Sequence, residues 1–161
     1  MKKEDEMETQ NLTTEKAENK SFRYSKRSVN SVVRTSPKEF PLKEVTERIL
    51  SCALEAHSTL GPGLLESAYE EALAHEFNLR GIQLEKQKEI GMKYKDKEIG
   101  KHRIDFLVEN EVVLELKAVE KMNTIYEAQV LTYLRAMDKR VGLLINFSGE
   151  RLKDGIQRLI L

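Results

Sequence analysis

The chain has 161 residues and carries 27 lysines and arginines against 27 aspartates and glutamates, so its formal net charge at pH 7 is zero. This length favours one domain with a sizeable core. The neutral balance excludes a chain-wide electrostatic footprint for nucleic acid, so any such binding must rest on a local basic surface. The single cysteine, Cys52, excludes an internal disulfide framework. No apolar run approaches the roughly 20 residues that a membrane span needs, and we expect a cytoplasmic protein without membrane contact.

Residues 1–40 are polar and lack the apolar periodicity of a packed segment, so we expect a disordered tail ahead of one domain over residues 41–161. Between positions 20 and 38 the tail has six basic residues and no acid, with Phe22 and Tyr24 among them. Basic side chains neutralise phosphates and aromatic rings stack on bases, which makes this segment a candidate nucleic-acid arm. A solvated tail is the alternative interpretation.

Two helices are predicted at the start of the domain. Apolar residues recur at helical spacing from Leu42 to about Thr59, and a second stripe follows a Gly-Pro-Gly turn and ends at Gly81. Pro62 is suited to the first turn of this second helix. Glu66 borders its apolar face and is a candidate site residue, although an acid in a first turn also stabilises the helix dipole.

The rest of the domain combines strands with one further helix. Strand patterns occur from Ile82 to about Tyr94, from about Glu98 to Val108, over residues 112–117, from Val141 to Phe147 and from Ile156 to Leu161. A helix from about Thr124 to Met137, with Asn123 able to cap it, lies between the third and fourth strands. The predicted order is therefore α-α-β-β-β-α-β-β.

The second and third strands should form a hairpin that carries charged residues inside apolar runs. On the third strand, period-two alternation places Glu115 and Lys117 on one face. On the second strand, Asp105 is expected on the face opposite to an apolar set of three residues. That set is Ile104, Phe106 and Val108.

The length of the hairpin loop decides whether Asp105 meets Glu115. A two-residue loop would leave the two acids on different faces, because paired residues point the same way. A three-residue loop over residues 109–111 sets Asp105 across from Glu115, with Asn110 the natural candidate for a positive φ. We expect this loop or an equivalent bulge.

Two opposed carboxylates at about 4 Å repel by about 4 kcal/mol if the effective dielectric constant is about 20. Lys117 would offset part of this repulsion, and a divalent cation would offset far more. Oxygen ligands select a hard ion such as Mg²⁺ or Mn²⁺. The alternative is a structural ion pair of Asp105 or Glu115 with Lys117 or Arg103, which would perturb the same groups.

The third helix carries two polar-tipped residues on one face. Gln129 and Tyr133 are four positions apart, which makes them neighbours on the helix surface. They are candidate site residues, although a core that contains a hydrogen-bonded tyrosine would show the same pattern.

Together these residues resemble the PD-(D/E)XK nuclease superfamily. The parts are Glu66 on a helix, Asp105 on a strand, Glu115-Leu116-Lys117 on the next strand, and Gln129-x-x-x-Tyr133 on the following helix. The segment Gly63-Leu64-Leu65-Glu66-Ser67-Ala68-Tyr69 resembles the motif that names the small bacterial GxxExxY family. The similarity extends from about Leu42 to the C-terminus. One departure is Ile104 in place of the proline that precedes the acid, at a position that contributes no ligand.

The resemblance implies an α/β (α+β) domain with a restriction-endonuclease-like core, in which helices flank a mixed central sheet. It also implies metal-dependent cleavage of a nucleic-acid backbone. The implied ligands of Mg²⁺ (or Mn²⁺) are Asp105, Glu115, the backbone carbonyl of Leu116 and, directly or through water, Glu66. Lys117 would orient or deprotonate the attacking water, and Gln129 would position Lys117 or the substrate, with Tyr133 behind it.

The expected function is a nuclease that acts on DNA or structured nucleic acid, with DNA favoured. Lys101 and Arg103, on the basic approach to Asp105, are candidate nucleic-acid contacts. One alternative is a catalytically inactive module of the same fold that binds nucleic acid or a protein partner, and another is a purely structural ion-pair cluster. By analogy, a homodimer would present two sites to the two strands of a duplex.

Overall fold

The computed structural model describes residues 41–161, so the predictions made for the tail, its disorder and its basic segment, lie outside the described residues. Three helices and five strands follow in the predicted order. They are α1 (Lys43–Leu60), α2 (Glu66–Leu79), β1 (Leu84–Tyr94), β2 (Lys97–Val108), β3 (Val112–Lys117), α3 (Thr124–Met137), β4 (Val141–Asn146) and β5 (Ile156–Ile160), with a short 3₁₀ helix (Leu152–Gly155) before β5. Among residues 41–161, no helix is long and apolar enough to cross a membrane.

The five strands form one mixed sheet in the order β1-β2-β3-β4-β5. β3 and β4 are parallel and are connected through α3, whereas the other neighbouring pairs are antiparallel. Every residue of β3 and of β4 is buried. Strands covered on both faces read as continuous apolar runs, which is why the charged residues of β3 stand out in the sequence.

Helices cover both faces of this sheet and create two hydrophobic clusters. One cluster combines α1 and α2 with Val112, Leu114 and Leu116 of β3. The other combines α3 with Val113 of β3 and with residues of β2 and β4. The alternation predicted for β3 is therefore confirmed, and Glu115 and Lys117 share the parity of Val113, on the α3 face.

The loop between β2 and β3 has the predicted three residues. Val108 pairs with Val112 and Phe106 pairs with Leu114, which continues the register that sets Asp105 across from Glu115. Asn110 has the expected positive φ of 54°. Glu109 also has a positive φ, 51°, and its backbone N–H donates to the Gln83 carbonyl at 2.9 Å.

The prediction that Ile104 shares a face with Phe106 and Val108 is wrong. Ile104 packs in the α3 cluster with Leu107, whereas Phe106 and Val108 pack in the other cluster. The cause is an irregularity in β1. Its pairing with β2 leaves out Gln87 and Asp105, and Gln87 has a φ of 52°, so the strict alternation of faces is interrupted beside Asp105.

The second helix begins at Glu66, so the prediction that Pro62 lies in its first turn is also wrong. Residues 61–65 form a loop in which Gly61 and Gly63 have positive φ values of 68° and 100°. The buried Tyr69 hydroxyl holds this loop, because it donates to the Gly61 carbonyl at 2.7 Å and accepts from the Leu64 backbone N–H at 3.1 Å. These two local hydrogen bonds hold residues 61–64 in the loop that precedes the helix.

The packing of α3 on β4 predicts that two glycine substitutions in strands differ strongly in their effect on the free energy of unfolding. A Cβ at Gly142 would lie 2.5 Å from Val130 Cγ1 and 3.3 Å from Leu134 Cδ1, whereas a Cβ at Gly100 would meet nothing within 4 Å. We expect Gly142→Ala to lower the free energy of unfolding by about 1–3 kcal/mol through overpacking. Gly100→Ala, the matched control, should change it by less than about 0.5 kcal/mol. Urea unfolding of both variants checks this, and equal effects would contradict the packing.

Candidate active site

The acidic residues converge where β2 and β3 separate. The backbone pairing of these strands ends at Phe106 and Leu114. Beyond this pair, the side chain of Asp105 binds the backbone of β3. Its Oδ2 atom accepts a hydrogen bond from the Leu116 N–H at 2.7 Å. This bond fixes the Asp105 carboxylate against β3, next to the side chain of Glu115, which the register sets across from Asp105.

Asp105 is held from the β1 side as well. The amide nitrogen Nε2 of Gln87 donates to Asp105 Oδ1 at 3.3 Å and to Glu70 Oε1 at 2.6 Å. Burial raises the pKa of Asp105 above its ordinary value, although the hydrogen bonds from Leu116 and Gln87 and the charge of Lys117 act in the opposite direction. Gln87, which the register of β1 and β2 sets opposite Asp105, thus supplies a hydrogen-bond donor for the acid.

Glu115 and Lys117 form a buried ion pair on β3. Lys117 Nζ donates to Glu115 Oε1 at 2.9 Å and to the Leu116 carbonyl at 2.7 Å. Burial and the neighbouring Asp105 carboxylate raise the pKa of Glu115 to about 7, despite Lys117. Burial lowers the pKa of Lys117, but its hydrogen bond to Glu115 and the surrounding carboxylates outweigh this and raise it overall.

Glu66 reaches the same lysine from the other layer of the fold. As the first residue of α2, it places Oε1 4.0 Å from Lys117 Nζ, with its side chain 44% exposed. Burial raises its pKa, while the charge of Lys117 and a hydrogen bond from the Ala118 backbone act to lower it. Glu66, Asp105, Glu115 and Lys117 therefore form one electrostatic cluster.

Gln129 and Tyr133 pack beside this cluster on α3. The Gln129 amide donates to the buried Tyr133 hydroxyl, which lies 3.5 Å from His102 Nδ1. Burial raises the pKa of Tyr133, and the charges of Glu115, Lys117 and Asp105 also act on it. Among the described residues, no hydrogen bond joins Gln129 to Lys117. Gln129 could therefore position Lys117 only indirectly, through other side chains.

Lys101 and Arg103 lie outside the acidic cluster, on the exposed part of β2. Lys101 Nζ pairs with Glu89 Oε2 at 3.3 Å, and Glu89 is also the register partner of Arg103. Both side chains remain available to an external ligand at the edge of the site.

Sequence reasoning missed three residues that shape this cluster. The ring of Tyr126 lies 5.4 Å from Lys117 Nζ, and the Asn146 amide exchanges hydrogen bonds with the Val119 backbone just after β3. Gln87 is the third. Tyr126 could have been found, because it precedes Gln129 by three positions and so shares a face of α3 with it. Gln87 and Asn146 lie in strands, where no sequence spacing relates them to the other site residues.

The donor chemistry of the cluster fits a hard divalent cation. Glu115 Oε2 is buried and has no hydrogen-bond partner in the described part of the chain, which leaves an anionic oxygen to be satisfied. Asp105 and the Leu116 carbonyl add oxygen donors. However, residues 41–161 contain no group of three His, Cys, Asp or Glu side chains placed to hold a metal. The fit therefore rests on two carboxylates and a backbone carbonyl.

A mixed five-stranded sheet flanked by helices, with acids where two of its strands separate, defines a restriction-endonuclease-like fold. The family model described as the PD-(D/E)XK nuclease superfamily matches residues 43–159, and the chain belongs to this superfamily. No curated protein gives a significant match to the chain. Membership indicates a nuclease-type function and nucleic-acid binding, and nucleases of this superfamily generally use divalent metal ions.

The raised pKa of Glu115 predicts a substitution that stabilises the metal-free protein. An acid whose pKa rises from 4.5 to about 7 on folding favours the native state below pH 4.5, and this contribution is lost as the pH rises through 7. The charged form then costs about 3 kcal/mol. We expect Glu115→Gln, unfolded by urea in chelator, to be about 2–3 kcal/mol more stable than the natural chain at about pH 8.5 and nearly equal to it at about pH 4.5.

Glu111→Gln is the matched control, because Glu111 is exposed in the hairpin loop four residues away. It should change stability by less than about 0.5 kcal/mol at either pH. A Glu115→Gln variant that is less stable than the natural chain at both pH values would contradict the electrostatic strain assigned to this carboxylate.

Proposed function

We propose that this protein is a metal-dependent nuclease that hydrolyses phosphodiester bonds of DNA or structured nucleic acid, with DNA favoured and Mg²⁺ or Mn²⁺ as cofactor. The observation that carries the proposal is the buried pair of Glu115 and Lys117, with the partly buried Asp105 beside it, at the point where β2 and β3 separate. Burying charges costs free energy, and perturbed carboxylates gathered around one lysine are typical of functional sites. Superfamily membership supports the same conclusion.

The proposal assigns Asp105, Glu115, the Leu116 carbonyl and, through water, Glu66 to a divalent cation. Such a cation, when bound, would polarise the phosphate and lower the pKa of its bound water. Lys117 donates hydrogen bonds from a buried position and would orient the attacking water and neutralise charge on the phosphate. The ring of Tyr126, whose centroid lies 5.4 Å from Lys117 Nζ, would help to hold this ammonium by a cation–π interaction.

The proposal includes membership of the GxxExxY family, and the loop before α2 supports it. Gly63 has a φ of 100°, which only glycine adopts readily, Glu66 faces Lys117, and Tyr69 fastens the loop through its hydroxyl. The three residues that name the motif thus share one task, which is to present Glu66 to the end of β3. Gln129 and Tyr133 would steady the substrate side of the site.

We also propose a cytoplasmic location. Cys52 is a free thiol buried in the larger hydrophobic cluster, as expected in a reducing compartment. A homodimer would bring two copies of the site to the two strands of a duplex, and light scattering of the full chain measures its oligomeric state.

Cleavage assays test the proposed reaction. The full chain is incubated with supercoiled plasmid, duplex oligonucleotides and an RNA hairpin, with Mg²⁺ or Mn²⁺ and with chelator. We expect metal-dependent cleavage that falls by about 100-fold or more in Glu115→Gln and in Lys117→Met, because each removes a charge that acts on the transition state. Glu111→Gln should cleave normally. Cleavage that persists in Glu115→Gln would reject the assignment.

The second candidate function is a non-cleaving module of the same fold. It is favoured by one observation. Lys117 Nζ already donates hydrogen bonds to the Leu116 carbonyl and to Glu115 Oε1, which are oxygens proposed to bind the metal. Thermal unfolding with and without Mn²⁺ separates the two. In a metal-binding nuclease, the free energy of unfolding should rise by about 2.7 kcal/mol at a metal concentration 100 times the dissociation constant. This increase should vanish in Glu115→Gln. A natural chain that gains nothing at millimolar Mn²⁺ would favour the module.

A further inference from the structure

The first two strands extend well beyond the rest of the sheet. β1 and β2 pair from Leu84 and Val108 out to Tyr94 and Lys97, whereas β2 pairs with β3 only over Phe106–Val108. Residues 91–103 therefore form a two-stranded projection, here called the β1–β2 arm. Every side chain from position 93 to position 103 is exposed.

The β1–β2 arm is positively charged on an otherwise acidic domain. It contains five lysines and arginines and two acids, while the other described residues contain 13 lysines and arginines and 18 acids. The basic residues of the arm are Lys93, Lys95, Lys97, Lys101 and Arg103. The net charge of the chain is zero, and within residues 41–161 this arm is a local basic surface of the kind that a polyanion would need.

The base of the arm adjoins the candidate active site. Arg103 precedes Asp105 by two residues, and His102 Nδ1 lies 3.5 Å from the Tyr133 hydroxyl. From Arg103 to Lys97 the strand covers about 20 Å at a rise of about 3.3 Å per residue. A nucleic-acid strand that follows the arm would pass about six phosphates between its outer end and the site.

We propose that the β1–β2 arm binds double-stranded DNA by entering the major groove, with its lysines on the flanking phosphates. This inference rests on the proposed function and deepens it by naming the substrate class. The major groove of B-DNA, about 12 Å wide, admits a two-stranded ribbon, whereas the deep and narrow major groove of A-form RNA does not. Tyr94 and Ile99, which are 64% and 63% exposed, supply apolar contacts for base edges such as the thymine methyl group.

Binding measured in chelator tests the arm separately from cleavage. The natural full chain and a Lys93→Gln, Lys95→Gln, Lys97→Gln triple variant are titrated against labelled 20-base-pair DNA and RNA duplexes at several salt concentrations. We expect the triple variant to bind duplex DNA about tenfold or more weakly, and its slope of log affinity against log salt to fall by about 2–3, because each lost phosphate contact removes about 0.9. Duplex RNA should bind more weakly than DNA and respond less to the substitutions.

A second triple variant, Lys43→Gln, Arg140→Gln, Lys153→Gln, is the matched control. These three residues are exposed and lie outside the arm. Because three positive charges are removed in each triple variant, the change in net charge is the same. The control should retain the salt slope of the natural chain to within about 1. The inference is overturned if both triple variants lose affinity equally, if duplex RNA binds as tightly as DNA, or if the natural chain binds no duplex.

These outcomes differ from a failure of the proposed function. If the arm variant binds like the natural chain while cleavage still depends on Glu115, the nuclease assignment stands and the arm proposal falls. If the arm variant loses binding while Glu115→Gln leaves cleavage unchanged, the arm stands and the assignment of the catalytic residues falls. Circular dichroism of each variant confirms that the exposed substitutions leave the fold intact.

Discussion

The candidate site depends on one hydrogen bond, from the Leu116 N–H to Asp105 Oδ2. At this position β2 and β3 stop pairing through their backbones, and a carboxylate takes the place of a main-chain acceptor. The bond keeps the two strands together while it turns an acid toward Glu115 and Lys117. Because β2 separates from β3 at the same place and continues paired only with β1, the bond also lies at the base of the β1–β2 arm.

Burial gives this cluster its chemical character. Helices cover both faces of the sheet, so the pKa values of Glu66, Asp105 and Glu115 are all raised, although Lys117 opposes the shift in each case. A single ammonium cannot neutralise three carboxylates, and Glu115 Oε2 remains without a partner in the described part of the chain. The fold therefore holds an uncompensated negative charge, which a divalent cation would offset.

In the proposed nuclease, the two ends of β2 would have different roles. The end of β2 next to β3 carries Asp105, which would attract a cation and repel a phosphate backbone, whereas the exposed end carries Lys97, Lys101 and Arg103 of the β1–β2 arm. Within residues 41–161, which carry 18 basic and 20 acidic residues, the arm is a local surface that would attract a polyanion. Under the proposal, the β1–β2 arm would direct nucleic acid toward the acidic site although the net charge of the chain is zero.

The sequence by itself determined the order of the elements, the faces of β3, the three-residue loop after β2 and the span and N-cap of α3. These features depend on neighbours within one strand, turn or helix, where periodicity and capping are local properties. Only the tertiary structure decided the rest. The Gln87 irregularity moved Ile104 to the α3 cluster, the Tyr69 hydroxyl delayed α2 to Glu66, and α3 brought Tyr126 over Lys117. The first and third of these depend on contacts between separate elements, and the second depends on hydrogen bonds from a buried side chain to the preceding loop, so the periodicity of one element does not encode them.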